Sequence, residues 1–186
     1  MVEKPTAQKS CRGYTDCGRI FGIPPMDLKD FFLKQKQATH QGTLAVLAKI
    51  PPDRLGWRPA DGMLSLGQIV RHLWMSEEGV RRAALEGNWG YYEKRVPQGL
   101  FAILGEVEAL EAERHELERV HEETLRAVSD FPLERWQEER FNDRFNIRRK
   151  VVVMLFGISE HQIHHRAQVG AYLRILTGQR ASPYAL

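Results

Sequence analysis

The sequence predicts an all-α protein that folds as a four-helix bundle. Four stretches repeat apolar residues at steps of three and four, the period of a helix with one buried face. Residue types that begin and end helices flank these stretches. We find no convincing strand pattern and no internal repeat. Four helices of roughly twenty to thirty residues in one chain of 186 residues favour a bundle with a single core.

The composition argues against a nucleic-acid-binding, a secreted or a membrane-spanning protein. The chain is 42% apolar and 27% charged, which is typical of a globular domain, and its net charge is only +3. Without a basic block or a recognition motif, we expect no nucleic-acid partner. The polar N-terminus and the lack of a long apolar run predict neither a signal peptide nor a membrane span. Cys11 and Cys17 fit no redox or zinc spacing, so we expect a cytoplasmic protein.

Residues 1–25 are polar, lack a clear period and end at Pro24 and Pro25. We expect a flexible N-terminal extension, since chain ends are poorly ordered unless tied down. The alternative is an arm that packs on a partner subunit. The bundle domain is predicted to span residues 26–186.

The first two helices have recognisable limits. Asp27 is a plausible N-cap for the first, which Pro51 and Pro52 should end at about Ile50. Ser65 should cap the second, which ends near residue 87. The connection 88–99 carries aromatic residues, and a loop of this length either borders a functional site or only crosses between distant helix ends.

The other two helices are longer. The third is predicted from about Leu100 to Ser129, followed by a loop over residues 131–145. The fourth should run from about Ile147 to Thr177, with Gly178 as its C-cap and residues 179–186 as a tail.

The fourth helix carries two histidines on its inward face. His161 and His165 are four residues apart, one turn along a helix. Gln162 and Arg166 should fall on the more exposed side, and His164 on a flank. The inward stripe consists of Val151, Met154, Ile158, His161, His165, Val169, Tyr172 and Leu176.

Such a pair is either a set of satisfied core histidines or part of a metal site. A metalloprotease needs a glutamate after the first histidine, and Gln162 stands there instead. A ferritin-like di-iron site needs two ExxH motifs, and only Glu118 to His121 provides one. Both of these metal sites are therefore disfavoured.

A third ligand should come from a facing helix. His72 on the second helix is the best candidate, since small residues follow it at helical steps and leave space beside it: Ser76, Gly79 and Ala83. His121 on the third helix is the second candidate. His40 and His115 are interpreted as surface residues.

Two motifs resemble those of a known family. The run from His161 to Gln168, HQIHHRAQ, is similar to the H-x-x-x-H-R-G-Q signature of the DinB family, also called DinB/YfiT-like metalloenzymes. Trp57-Arg58-Pro59 and the run from Ser65 to His72 resemble its second-helix signature. Ala167 replaces the usual glycine, and residues 1–25 have no counterpart.

The resemblance implies a bundle in up-down-down-up order and a divalent metal held by His72, His161 and His165. Three histidines leave an open coordination position, as catalytic sites do. Zinc or nickel suits such ligands best, and iron or manganese is also accepted. Relatives include thiol-dependent transferases, so the resemblance implies a metal-dependent transferase or hydrolase that could use a low-molecular-weight thiol.

Two inward polar residues of the third helix are candidate catalytic residues. Arg114 and His121 could bind an acidic group of an unidentified small-molecule substrate or carry a proton. The alternative for Arg114 is a helix-end or interface residue with a solvated head.

The alternative function is a non-catalytic, stress-related metal-binding protein or a dimeric scaffold. A homodimer is expected with either function.

Overall fold

The computed structural model describes residues 27–178, in which four long helices pack as a bundle. The predicted extension with Cys11 and Cys17 and the predicted tail lie outside the described residues. The all-α class is confirmed. The long helices are α1 (Leu28–Leu47), α2 (Leu66–Arg81), α5 (Leu110–Asp130) and α6 (Val151–Thr177).

Three predicted caps are confirmed. The Asp27 side chain accepts hydrogen bonds from two backbone N–H groups in the first turn of α1. Ser65 and Gln68 form a reciprocal capping box at the start of α2. Gly178 ends α6 with φ 72°, a conformation that glycine adopts without a Cβ clash. The local signals for helix ends were therefore readable without the tertiary structure.

The third helix was predicted too long. α5 begins at Leu110, and the preceding segment forms two short helices, α3 (Gly90–Arg95) and α4 (Leu100–Leu104). Gly99 and Gly105 flank α4 with φ 82° and 55°, and these positive φ angles, which glycine adopts most readily, interrupt the helix. The first helix also ends three residues earlier than predicted, at Leu47.

The prediction of no strand was wrong. β1 (Glu139–Asn142) and β2 (Ile147–Lys150) form an antiparallel hairpin before α6. Asn146 has φ 49° in the connection, a position that asparagine tolerates better than most residues. The fourth helix consequently begins at Val151 rather than Ile147. The Arg140 Nε atom donates to the Ala84 carbonyl oxygen over 2.8 Å and ties the hairpin to the π-helical turn Arg82–Glu86 that follows α2.

Cross-helix hydrogen bonds give the relative directions of α2 and α5. Arg71, near the start of α2, bonds Glu113 near the start of α5. Arg81, at the end of α2, bonds Glu123 farther along α5. The two helices therefore run in the same direction, which the connection through α3 and α4 allows.

α1 runs antiparallel to α5 and in the same direction as α6. Lys29 bonds the Ser129 carbonyl and Gln37 bonds His121, so the start of α1 meets the end of α5. These directions are compatible with the up-down-down-up order that the resemblance implies. The contacts between α1 and α6 advance along both helices in three pairs: Phe32 with Phe156, Lys36 with Gln162, and Thr39 with Arg166.

The apolar core has two parts. One lies around the end of α1 and the start of α2, and the other lies around Phe32, Trp136 and the first half of α6. A band of buried polar side chains, including Lys36, Glu77 and Gln162, is contributed by the middle of the long helices. Within residues 27–178, none of the helices combines the length and hydropathy needed to cross a bilayer.

Candidate metal centre

Three histidines meet between α2 and α6. The Nε2 atom of His161 lies 3.1 Å from the Nε2 atom of His72 and 3.1 Å from that of His165. One ligand atom from each ring lies within 4.8 Å of the others. The structure therefore brings together the three residues that the sequence singled out as metal ligands.

The spacing of these nitrogens suits a common metal ion. Two imidazole nitrogens about 2.0–2.1 Å from a tetrahedral zinc ion lie about 3.3 Å from each other. The observed 3.1 Å is close to that value. Moreover, the ring planes of His161 and His165 are inclined by 77°, so the two rings meet edge-on rather than stacking. The donor set thus fits a small divalent cation.

Hydrogen bonds behind the cluster orient two of the rings. The His165 Nδ1 atom lies 2.8 Å from the Oε1 atom of Gln168, and the Gln168 amide donates to the Tyr172 hydroxyl over 2.9 Å. The amide oxygen can only accept, so Nδ1 of His165 carries the proton and Nε2 keeps its lone pair toward the cluster. The His72 Nδ1 atom contacts the Ser76 hydroxyl at 3.3 Å.

The environment keeps the three rings neutral. Burial is the main cause that lowers the pKa of His161 to about 3 and of His72 to about 4, and the neighbouring rings add to it. Burial also lowers the pKa of His165. Neutral imidazole is the form that binds metals, so ligation near neutral pH requires no net loss of protons from the three rings.

A cavity of about 430 Å³ opens beside the cluster, and both His161 and Ser76 line it. Trp89 and Tyr92 form part of its wall, so the connection over residues 88–99 borders this cavity. The space predicted beside Gly79 is absent. A Cβ atom there would lie only 2.8 Å from a ring carbon of Tyr91, because the aromatic residues of α3 fill that position.

Two histidines form a separate buried pair. The prediction that His40 is a surface residue was wrong, because its ring is buried and stacks on His121 with centroids 3.7 Å apart. The His121 Nε2 atom lies 3.0 Å from the Gln37 amide oxygen. Burial, followed by the charge of Lys36, lowers the pKa of His40 to about 3 and of His121 to about 2.

The prediction that Gln162 lies on the more exposed side of the fourth helix was also wrong. It is buried, and its amide oxygen accepts from the Lys36 Nζ atom at 3.3 Å. Lys36 also forms an ion pair with Glu77 at 2.8 Å. α6 packs against both α1 and α2, so its buried face is broader than one stripe. Lys36 lies four residues from Phe32 and from His40, on the same face of α1. This spacing in the sequence could have predicted that Lys36 is buried.

The candidate catalytic residues lie away from the cluster. Arg114 is partly exposed and bonds Glu111, its neighbour on the same helix turn, at 3.0 Å. Neither Arg114 nor His121 lines the cavity beside His161. His115 is exposed, as predicted, and Arg166 donates to the Thr39 carbonyl oxygen at 3.3 Å.

Fold and cluster together define a helical bundle with three convergent histidines next to a cavity. The family profile of the DinB superfamily matches residues 35–169, and the chain belongs to that superfamily. The crystal structure of a DinB-like protein from Bacillus subtilis is similar to this one with a TM-score of 0.64. That protein is 19% identical, and the match covers 83% of this chain and 96% of the other, which supports the fold alone. No curated protein matches the chain.

Proposed function

We propose that this protein binds one divalent metal ion through the Nε2 atoms of His72, His161 and His165. The single observation that carries the proposal is that the Nε2 atom of His161 lies 3.1 Å from the Nε2 atoms of both His72 and His165, across two helices. The hydrogen bond from His165 to Gln168 supports it, because it directs the lone pair of Nε2 toward the other two rings. Zinc or nickel suits the all-imidazole donor set best, and iron or manganese is also accepted.

The proposed activity is that of a metal-dependent transferase or hydrolase acting on a small molecule. A divalent ion on three neutral histidines keeps a position open, where it supplies Lewis-acid chemistry or lowers the pKa of a water or a thiol. The cavity supports a catalytic over a structural site, because His161 borders a space large enough for a small substrate. A low-molecular-weight thiol as co-substrate is part of the proposal.

Metal analysis of the purified protein tests the binding step. We expect about one ion per chain after incubation with zinc or nickel and removal of the excess, and loss of that ion in His161→Ala. His164→Ala is the matched control, since His164 lies on the same turn but is exposed and outside the cluster. Wild-type protein that retains no metal, or a His161→Ala variant that retains as much as His164→Ala, would contradict the proposal.

An assay of the metal-loaded protein with several low-molecular-weight thiols and an electrophilic acceptor tests the activity. We expect thiol consumption that disappears in His161→Ala and persists in His164→Ala. A fully loaded protein without turnover toward thiols, esters or amides would support metal binding without this catalysis.

A further inference from the structure

Two side chains that line the cavity beside His161 carry opposite charges, and neither has an ion-pair partner within residues 27–178. Arg149 comes from β2 and Glu160 from α6, and both are exposed. The third charged residue of the lining, Glu77, is compensated by its buried ion pair with Lys36 at 2.8 Å. The uncompensated charges of this cavity are therefore those of Arg149 and Glu160.

The alternation of strand β2 places Arg149 at the cavity. Ile147 and Arg149 are two residues apart and share one face of the strand, and both line the cavity. Within the described part of the chain, the Arg149 guanidinium makes a single hydrogen bond, from its Nη1 atom to the Arg148 carbonyl oxygen at 2.9 Å. Most of its N–H groups are therefore available to an anionic group of a ligand.

The two arginines nearest to Arg149 in the hairpin are engaged elsewhere. Arg148 lies on the other face of β2 and forms an ion pair with Glu139 at 3.1 Å. Arg140, which is opposite Arg149 on β1, forms an ion pair with Glu138 at 3.0 Å. Arg149 is thus the arginine of this strand pair whose side chain has no acidic partner.

Glu160 lies farther along the same wall. It follows Val151, the first residue of α6, by nine residues, which is about 14 Å along the helix axis. Helical side chains lean toward the N-terminus of their helix, so Glu160 leans toward Gly157, three residues before it on the same face. The space at the Cβ position of Gly157 is open. The Glu160 carboxylate is therefore accessible to a cationic group inside the cavity.

The wall between these two charges is apolar. The residues of α6 that lie between them and line the cavity are Val153, Met154, Gly157 and Ile158. At about 430 Å³ the cavity is within the usual range for small-molecule sites. Its lining matches a ligand with an apolar chain between an anionic and a cationic end.

We propose that this cavity binds a zwitterionic small molecule whose carboxylate pairs with Arg149 and whose ammonium group pairs with Glu160. As a statement about the substrate, the inference rests on the proposed function, since His161 lines the same cavity. Binding itself is measurable with and without a metal ion, so the two proposals can fail separately.

Three probes of equal chain length test the inference: 8-aminooctanoate, octanoate and octylamine. Their affinities are measured by NMR titration of the full chain after treatment with a chelator. We expect 8-aminooctanoate to bind about fivefold more tightly than either of the others, since a partly exposed ion pair contributes up to roughly that factor. Octanoate or octylamine that binds as tightly as 8-aminooctanoate would overturn the inference.

Two variants assign the charges. In Arg149→Gln the affinities for 8-aminooctanoate and octylamine should fall within twofold of each other, because the carboxylate has lost its partner. In Glu160→Gln the same should hold for 8-aminooctanoate and octanoate. Arg148→Gln is the matched control, because Arg148 pairs with Glu139 and lies outside the cavity lining. A preference that survives the substitution of its assigned partner would overturn the inference.

Titration of zinc-loaded protein separates this inference from the proposed function. A preference for 8-aminooctanoate in chelator-treated protein supports the two ion pairs, whether or not the histidines bind zinc. A preference for the carboxylate that appears only with zinc would assign the carboxylate to the metal centre and overturn the role of Arg149.

A further variant locates the binding. Gly157→Phe should abolish binding of every probe, since Gly157 lines the cavity and the space at its Cβ position is open. Unchanged affinities in Gly157→Phe would show that the probes bind elsewhere and overturn the inference.

Discussion

Gln168 accepts a hydrogen bond of 2.8 Å from the Nδ1–H group of His165, one turn along the same helix. The Gln168 amide nitrogen donates to the Tyr172 hydroxyl over 2.9 Å, so both ends of the amide have a hydrogen-bond partner. The Nε2 lone pair of His165 is thereby directed toward His161 and His72. Partners of this kind tune metal sites, because they set the tautomer and the orientation of the ligand.

The first prediction concerns this hydrogen bond. Gln168→Leu should weaken zinc affinity by about 10–100-fold, because the His165 ring loses the acceptor that fixes its tautomer. Gln168→Glu retains an acceptor at the same position and should keep most of the affinity. Competition titration against a chromophoric chelator measures both. Equal affinities for wild-type protein and Gln168→Leu would show that Gln168 does not position the ligand.

The second prediction concerns the buried ion pair of Lys36 and Glu77, at 2.8 Å. Lys36→Met should lower the free energy of unfolding by about 3–5 kcal/mol, since it leaves Glu77 as a buried, unpaired charge. The double variant Lys36→Met/Glu77→Met should recover much of that loss, because it removes both charges. Urea denaturation at neutral pH measures the difference. A single variant as stable as the double variant would contradict this interpretation of the pair.

The third prediction compares two helical glycines. A Cβ atom at Gly157 would meet nothing within 4 Å, so Gly157→Ala should raise the free energy of unfolding by about 0.5–1 kcal/mol through helix propensity. Gly79→Ala should instead lower it by about 1–3 kcal/mol, since the methyl group would press on the Tyr91 ring at 2.8 Å. Thermal and urea denaturation report both changes. Equal stabilisation by the two substitutions would mean that α3 does not pack on Gly79 in solution.

The fourth prediction concerns acid stability. Burial lowers the pKa of His121 to about 2, well below the ordinary value of 6.5 that the unfolded chain retains. Between these pH values the unfolded state binds more protons than the folded state. The contribution of the neutral His121 ring to the free energy of unfolding is therefore complete above pH 6.5 and is lost progressively as the pH falls toward 2. At pH 5 this ring should reduce the free energy of unfolding by about 1–2 kcal/mol relative to pH 7.

Urea denaturation of chelator-treated protein at both pH values measures that loss. His121→Gln should show a smaller difference between pH 5 and pH 7 than the wild type, because glutamine does not titrate. His115→Gln is the matched control, as His115 is exposed on the same helix. A difference that is the same in all three proteins would assign the pH dependence to other groups.

Much of the fold was predictable from local sequence signals. Asp27, Ser65 and Gly178 marked helix ends because capping depends on a few neighbouring residues. The hairpin was missed because its two strands have only four residues each and depend on contacts with α3 and with the π-helical turn that follows α2. The break at Gly105 was missed because one glycine within an apolar segment does not by itself end a helix.

The candidate site was predictable in its ligands but not in its surroundings. Helical phase and the resemblance selected His72, His161 and His165, and these rings do converge. The same phase argument misjudged Gln162 and His40, because it assumed one narrow inward stripe on each helix. Both α1 and α6 contact more than one neighbouring helix, and the wider buried face accommodates polar residues that bond each other across the bundle.

X-ray absorption at the zinc edge of the zinc-loaded protein tests the central claim most directly. We expect a first shell that contains three imidazole nitrogens at about 2.0–2.1 Å, and one fewer in the His72→Ala variant. A shell built of oxygen ligands alone, or one that is unchanged in His72→Ala, would contradict the assignment of His72, His161 and His165 as a metal centre.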